Sequence, residues 1–204
     1  MADSKKDKAY KVTVVGQSGS GKSCLVQRIV KDTYKTYSES TIGAAYSVIK
    51  KVKNGQTNTY QIWDTAGQER YKALVPMYLK DAHIVLLIYD ITNVSSFEDI
   101  KKSWLSYAND RASNALKILI GTKCDWNDIR MVNKKDASEW ALSKDLKFIE
   151  CSAKEGINIS ELVDMFFDIP DDPYEPKINE TVTLTSNSFL ERHESCIPNN
   201  CYVH

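Results

Sequence analysis

No stretch of this chain is apolar for long enough to cross a bilayer. The longest apolar run, residues 84–89, is far below the roughly 20 residues a spanning helix needs. The opening MADSKKDKAY also lacks the apolar core of a secretory signal. No charge of one sign dominates: 27 Lys and Arg stand against 27 Asp and Glu, so no basic field argues for nucleic acid. The 5 cysteines form no C-x-x-C pair, and an odd count without metal-like spacing predicts reduced thiols. Together these absences predict a cytosolic protein, in which the N-x-[ST] triplets at Asn93, Asn158 and Asn179 carry no meaning. Cys24, Cys124 and Cys151 adjoin apolar segments and are expected as small core residues. With 204 residues, 42% of them hydrophobic, the chain can build one domain with a real core and an appendage.

What is present begins with KVTVVGQSGSGKSCLV, residues 11–26. Val12, Val14 and Val15 are β-branched and read as a strand, and residues 24–30 have the apolar spacing of a helix. Between them Gly16, Gly21, Lys22 and Ser23 fit G-x-x-x-x-G-K-[ST]. Residues poor in side chain let successive backbone N–H groups curl around phosphate oxygens at the positive end of a helix. Lys22 then reaches the outer phosphates, and the Ser23 hydroxyl is placed to ligate Mg²⁺. The competing reading is a Gly/Ser turn without a ligand.

Strand-like stretches recur at 12–15, 46–52, 57–63, 84–89, 116–120 and 148–151, and helix-period segments at 24–30, 73–80, 97–108, 137–142 and 159–167. Asn54-Gly55 offers a tight hairpin between the second and third strands. Elsewhere strand and helix alternate, which implies crossovers and a sheet covered on both faces. The expected fold is an open three-layer α/β domain over residues 1–170, with six strands, mostly parallel with one antiparallel, and five helices. Residues 171–204 contain three prolines, many Asn, Ser and Thr, and no sustained apolar period; they read as a disordered tail.

Ligands in such sheets sit at the carboxyl ends of the strands. The third strand runs into Asp64-Thr65-Ala66-Gly67-Gln68. Asp64 there can hold Mg²⁺ directly or through water, Gly67 can bring a bare N–H to the last phosphate, and Gln68 can orient an attacking water. The fifth strand runs into Thr122-Lys123-Cys124-Asp125, whose carboxylate can accept two N–H bonds from guanine and none from adenine. The sixth delivers Ser152-Ala153-Lys154, with the Ala153 N–H available to the guanine oxygen.

In that order and spacing, "GQSGSGKSCL", "STIG", "QIWDTAGQERY", "YDIT", "ILIGTKCD" and "CSAKEG" resemble the signatures of Ras-superfamily small GTPases, most closely the Rab family. The resemblance implies a GTP-hydrolysing switch in vesicle trafficking, slow without an activating protein. It implies an exchange factor, a GTPase-activating protein and effectors as partners, and cycling between the cytoplasm and the cytosolic face of an intracellular membrane. Carried over by position, Ser18, Gly19, Ser20, Gly21, Lys22, Ser23 and Cys24 cradle the phosphates, and Ser23, Thr41 and Asp64 hold Mg²⁺. Tyr34 stacks on the base, Gln68 positions water, and Thr122, Lys123, Asp125, Ser152, Ala153 and Lys154 form the guanine pocket. Residues 31–45 and 64–78 correspond to the two switches, ordered by Thr41 and Gly67 when the third phosphate is present.

The chain departs from the family in places. Thr122 stands where an Asn amide usually ties the base loop to the phosphate loop, so fewer bonds and faster nucleotide release are expected. Ala44-Ala45-Tyr46 replaces Val-Asp-Phe, which alters the effector-facing strand, and Pro170 is expected to clip the last helix. Alternatives are a Rho- or Ras-like signalling GTPase, a P-loop kinase for a small metabolite, and a nucleotide-holding scaffold without turnover. Residues 125–133 leave no room for the extra Rho helix, no arginine-bearing lid suits a kinase, and intact Gln68 and Thr41 speak against a scaffold. Cys201 with the three residues after it resembles a C-a-a-X prenylation signal, and Cys196 offers a second acceptor. Six acidic and two basic residues give 171–204 a net charge of −4 with His neutral, so an anionic leaflet does not attract it.

Overall fold

The computed structural model describes residues 8–35, 41–53, 55–68 and 73–169. The expected tail with Cys196 and Cys201, the turn residue Asn54 and the middle of both switch segments lie outside these residues. Six strands are present: β1 (Lys8–Val15), β2 (Ala44–Lys53), β3 (Gln56–Thr65), β4 (Ile84–Asp90), β5 (Leu116–Thr122) and β6 (Lys147–Glu150). They form one sheet in the order β2-β3-β1-β4-β5-β6. Only β2 runs antiparallel, paired to β3 from Ala44↔Thr65 to Lys53↔Gln56 across the expected tight hairpin. All other pairs are parallel.

Five helices cover the sheet, as expected. They are α1 (Lys22–Lys31), α2 (Val75–Leu79), α3 (Val94–Asp99), α4 (Lys134–Ser143) and α5 (Ile159–Asp164). The third helix is not uniform. It passes through a π-helical turn, Ile100–Trp104, before ending as Leu105–Arg111. Within that turn the Trp104 indole N–H donates to Asp99 Oδ2 at 2.6 Å. Polar caps fix two starts: Asn93 Oδ1 accepts the Ser96 N–H, and Asn133 Oδ1 accepts the Lys135 N–H at 2.8 Å. Asn93 therefore serves as a helix cap. After α5 the chain tightens into a 3₁₀ turn, Met165–Asp168, and Ile169 is extended at φ −60° and ψ 128°. A residue before proline avoids the helical region, so Pro170 clips this helix as expected.

Strand β4 lies centrally and shows how one sequence serves two cores. Ile84, Leu86 and Ile88 pack among Leu25, Leu162 and Phe166 on one face; Val85, Leu87 and Tyr89 pack among Leu79, Phe97 and Trp104 on the other. All seven of its residues are buried, and the first six, Ile84 to Tyr89, are a continuous apolar run rather than an alternating one. Each such side chain contributes on the order of 1.5–3 kcal/mol of burial before conformational entropy is counted. Of the three expected core cysteines only Cys151 is buried; Cys24, in the first turn of α1, and Cys124, in the loop after β5, are half-buried.

Tyr60 on β3 is fully buried, its ring 5.6 Å from Tyr10 and 5.3 Å from Phe166. Asn58 Nδ2 donates to its hydroxyl at 3.2 Å, and burial pushes the phenol up to about 12. A phenol that ionises near 10 when unfolded and higher when folded gives stability that is complete below pH 10 and fades as pH rises through 12. Urea unfolding should therefore show stability falling between pH 10 and 12, by up to about 1.4 kcal/mol per pH unit from this residue. Tyr60→Phe should make that fall shallower without abolishing it, since burial also raises Tyr89 and Cys151; an unchanged slope would assign it to those groups.

Candidate functional site

The parallel strands direct their carboxyl ends to one edge, where a cavity of about 410 Å³ opens. Its wall contains Ser18, Gly19, Gly21, Lys22, Ser23 and Cys24 from the loop after β1 and the start of α1, with Tyr34, Thr41, Gly67 and Gln68 beyond. Thr122, Lys123, Asp125, Trp126, Ala153 and Lys154 form the other end. Three residues of the sequence reading, Ser20, Asp64 and Ser152, stand behind this wall. Ser152 is fully buried, and its hydroxyl accepts the Glu155 N–H at 3.0 Å, so it builds the turn that carries Ala153 and Lys154.

At the phosphate end, Lys22 is 5% exposed and its Nζ donates to the Gln17 carbonyl at 2.9 Å. Burial pulls its ammonium down to about 8, partly offset by the Asp64 carboxylate. Asp64 is displaced the opposite way: burial raises its carboxyl, while the hydrogen bond from Ser23 and the charge of Lys22 lower it. The hydroxyls of Ser23 and Thr41 lie 2.9 Å apart, and the buried Asp64 Oδ1 has no hydrogen-bond partner. Two hydroxyls and a carboxylate with an unsatisfied oxygen are a donor set that suits a hard divalent cation such as Mg²⁺. Gly67 brings bare backbone to this point. A Cβ there would strike Lys22 Nζ and lie 2.6 Å from both the Gly16 carbonyl and the Ser18 amide, so only glycine permits the approach.

At the other end the loops are fastened from behind. The Thr122 hydroxyl donates to the Ser20 carbonyl at 2.6 Å and lies 3.0 Å from the Tyr89 carbonyl. The single hydroxyl that stands where an amide is usual still reaches the phosphate loop directly. Arg28 of α1 donates to the carbonyls of Ala153 at 2.6 Å and Lys154 at 2.9 Å, fixing the sixth-strand loop. Arg130 forms a two-pronged pair with the buried Glu150, at 2.7 and 2.8 Å. Lys123 Nζ bonds Asp90 Oδ2 at 2.6 Å, and its ammonium lies 5.6 Å from the Trp126 ring. Sequence reasoning missed Arg28, Asp90, Trp126, Arg130 and Glu150. Asp90 and Glu150 left a signal as carboxylates closing strands, and Trp126 as the residue after Asp125.

His83, given no role from sequence, accepts the Lys11 backbone N–H on Nδ1 at 3.0 Å and packs edge-on against Tyr10. Tyr46 of β2, Trp63 of β3 and Tyr78 of α2 form a contiguous aromatic row, with ring centroids 5.1 and 5.9 Å apart.

Thr122→Val removes the bridging hydroxyl while keeping the shape of the side chain. Leaving the buried Ser20 and Tyr89 carbonyls without it should cost roughly 1–3 kcal/mol in urea unfolding. Thr122→Ser, which keeps the hydroxyl, should recover most of that loss.

The model of the Ras family matches residues 11–169. Ras-related protein Rab-8B from Homo sapiens is 38% identical over 156 residues, spanning 76% of this chain and 75% of that protein. Ras-related protein RABF2b from Arabidopsis thaliana is 42% identical over 153 residues, 74% of this chain and 76% of its own. GTP-binding protein YPT1 from Saccharomyces cerevisiae is 36% identical over 181 residues, 88% of this chain and 87% of its own. A cavity of this composition at the open edge of this sheet, in a chain with these relatives, has one consistent reading: the chain belongs to the Ras family, among its Rab-type small GTPases.

Proposed function

We propose that this chain binds GTP with Mg²⁺ in the cavity at the strand ends, hydrolyses it, and so controls contacts made by its two switch segments. As a Rab-type protein it is a GTP-hydrolysing switch in vesicle trafficking. The observation that carries the assignment of residues is the convergence of buried Lys22, the Ser23–Thr41 hydroxyl pair and Asp64 at one end, with Asp125 at the other end of the same cavity.

In this reading Ser18 to Cys24 surround the phosphates with backbone N–H groups, and Lys22 sets its charge on the outer two. Ser23, Thr41 and Asp64 would hold the ion, which would supply positive charge to offset that of the phosphates. Burial weakens the charged form of Lys22, and a polyanion stabilises it by giving the ammonium a partner. Gly67 offers its N–H to the last phosphate, and Gln68 orients the water that attacks it. The Asp125 carboxylate takes two N–H bonds from guanine, Tyr34 and Lys123 cover the base, and Ala153 and Lys154 close the rim with Ser152 beneath them. Thr41 and Gly67 lose a partner when the third phosphate leaves, which frees both switch segments. Effectors, an exchange factor and an activating protein meet those segments; the aromatic row of Tyr46, Trp63 and Tyr78 offers effectors an apolar strip with a half-exposed edge.

Among the described residues no helix is long and apolar enough to cross a membrane. Attachment is proposed through isoprenoid on Cys201, with Cys196 as a second acceptor, because one lipid chain anchors only weakly. The domain is taken as residues 1–170, with 171–204 as the tether.

Three measurements test this reading. The parent should bind GTP and GDP and not ATP, and Asp125→Asn should shift its preference towards xanthine nucleotides; equal affinity for ATP and GTP sinks the assignment. Gln68→Leu should hold GTP through an hour in which the parent, helped by an activating protein, turns it over. An activating protein that supplies an arginine typically adds about 10³–10⁵-fold in the Ras-type examples, or roughly 4–7 kcal/mol of barrier. Cys201→Ser should leave the protein wholly in the soluble fraction, with Cys196→Ser weaker in effect; an unmodified Cys201 in the mass spectrum of native protein removes the lipid.

A further inference from the structure

Asp90 ends β4, and its side chain is 8% exposed. Its Oδ1 accepts both the amide of Thr92 at 2.8 Å and the Thr92 hydroxyl at 2.7 Å. Its own backbone N–H donates to the Ser96 hydroxyl at 2.9 Å. The carboxylate is therefore fixed by its own loop, and Oδ2 is left to receive Lys123 Nζ at 2.6 Å. Asp90 does not line the cavity; Lys123 does. The ion pair thus runs from a rigid anchor outside the cavity to a side chain whose stem lies in its wall.

Lys123 is held at its other end too. Its backbone is left-handed at φ 61°, which a residue with a side chain adopts only when its surroundings impose it. Its carbonyl accepts the Trp126 N–H at 2.8 Å, and its ammonium lies 5.6 Å from the Trp126 ring. Trp126 lines the same end of the cavity and is 45% exposed. An unrestrained lysine has four rotatable bonds, and the entropy lost in straightening it opposes any ligand that needs it straight. An anchored lysine has already met that cost. Its methylene stem offers an apolar surface, and the indole beside it offers a second one.

The geometry points to Asp90 and Trp126 as a clamp on the flat face of the bound base. Asp90 is the positioning residue that draws Lys123 straight, and Trp126 is the aromatic wall beside it. The ligand part recognised is the face of a purine, independent of the edge that Asp125 reads. This inference rests on the proposed guanine-nucleotide site and adds residues that the nucleotide motif does not contain.

The test is the release rate of a fluorescent GDP from the full chain with Mg²⁺ held constant. Asp90→Asn keeps the shape and loses the charge, and Trp126→Ala removes an exposed ring that folding does not require. Each should speed release by about tenfold to a hundredfold, as loss of a charged hydrogen bond or a stacking surface does. Trp126→Phe should restore most of the parent rate. Asp90→Asn placed on Lys123→Ala should change release less than twofold, since the anchored group is gone. Inosine diphosphate lacks the amine that Asp125 reads, so Asp90→Asn should speed its release by the same factor as GDP. Binding of inorganic tripolyphosphate, which has no base, should be the same in parent and variants. Unchanged GDP release in both single variants, from a parent that holds GDP, overturns the clamp alone. Equal weakening of tripolyphosphate and GDP also overturns it, because Asp90 then supports the loops in general. A parent that holds no GDP overturns the guanine reading and the clamp with it.

Discussion

Parallel pairing of β3, β1, β4, β5 and β6 is the constraint on which the rest of this molecule depends. Strands that run the same way must return through crossovers, so every chemistry-bearing loop leaves the same edge. Residues far apart in sequence meet there without any long reach. Thr122 lies 102 positions from Ser20, yet its hydroxyl bonds the Ser20 carbonyl at 2.6 Å. The register Val12↔Ile84 and Leu86↔Ile118 is held by side chains buried on both faces, so the loops cannot slide relative to one another.

Burial leaves the charges at the phosphate end of the cavity electrostatically unsettled. Burial lowers the proton affinity of Lys22 and raises that of Asp64, which weakens the charged form of each. The buried Asp64 Oδ1 and Ser20 Oγ have no hydrogen-bond partners. A folded chain tolerates such groups where a ligand supplies the missing partner. A polyanion answers Lys22, and a cation answers Asp64. Because neither finds those partners arranged in the unfolded chain, ligand binding and stability are linked here.

The loops after β5 and β6 are also held from outside the cavity by charged side chains. Arg28 donates to the carbonyls of Ala153 and Lys154, Arg130 grips Glu150 with two parallel bonds, and Asp90 holds Lys123. Planar guanidinium suits the first two because it engages two acceptors at once in fixed geometry. Backbone amides and a carboxylate that must meet a ligand within tenths of an ångström gain from such support, since loops alone do not hold that precision.

The sequence by itself determined the elements and the motifs. Six strands and five helices followed from apolar period, and Lys22, Ser23, Asp64, Gly67, Asp125 and Ala153 followed from their places just after strands. Those signals are local, carried by residue type and spacing within a few positions. The tertiary structure decided what depends on neighbours across the sheet. It alone showed Ser20, Asp64 and Ser152 behind the cavity wall rather than on it, and Cys24 turned to the cavity instead of the core. It showed that Thr122 reaches the phosphate loop, which the count of hydrogen-bonding groups on the side chain did not reveal. It brought Arg28 and Arg130 to the site from segments whose charges read as ordinary surface in the sequence. A charge in a sequence has no distant partner until folding supplies one, and here the partners that fasten the site lie 20 to 126 residues away.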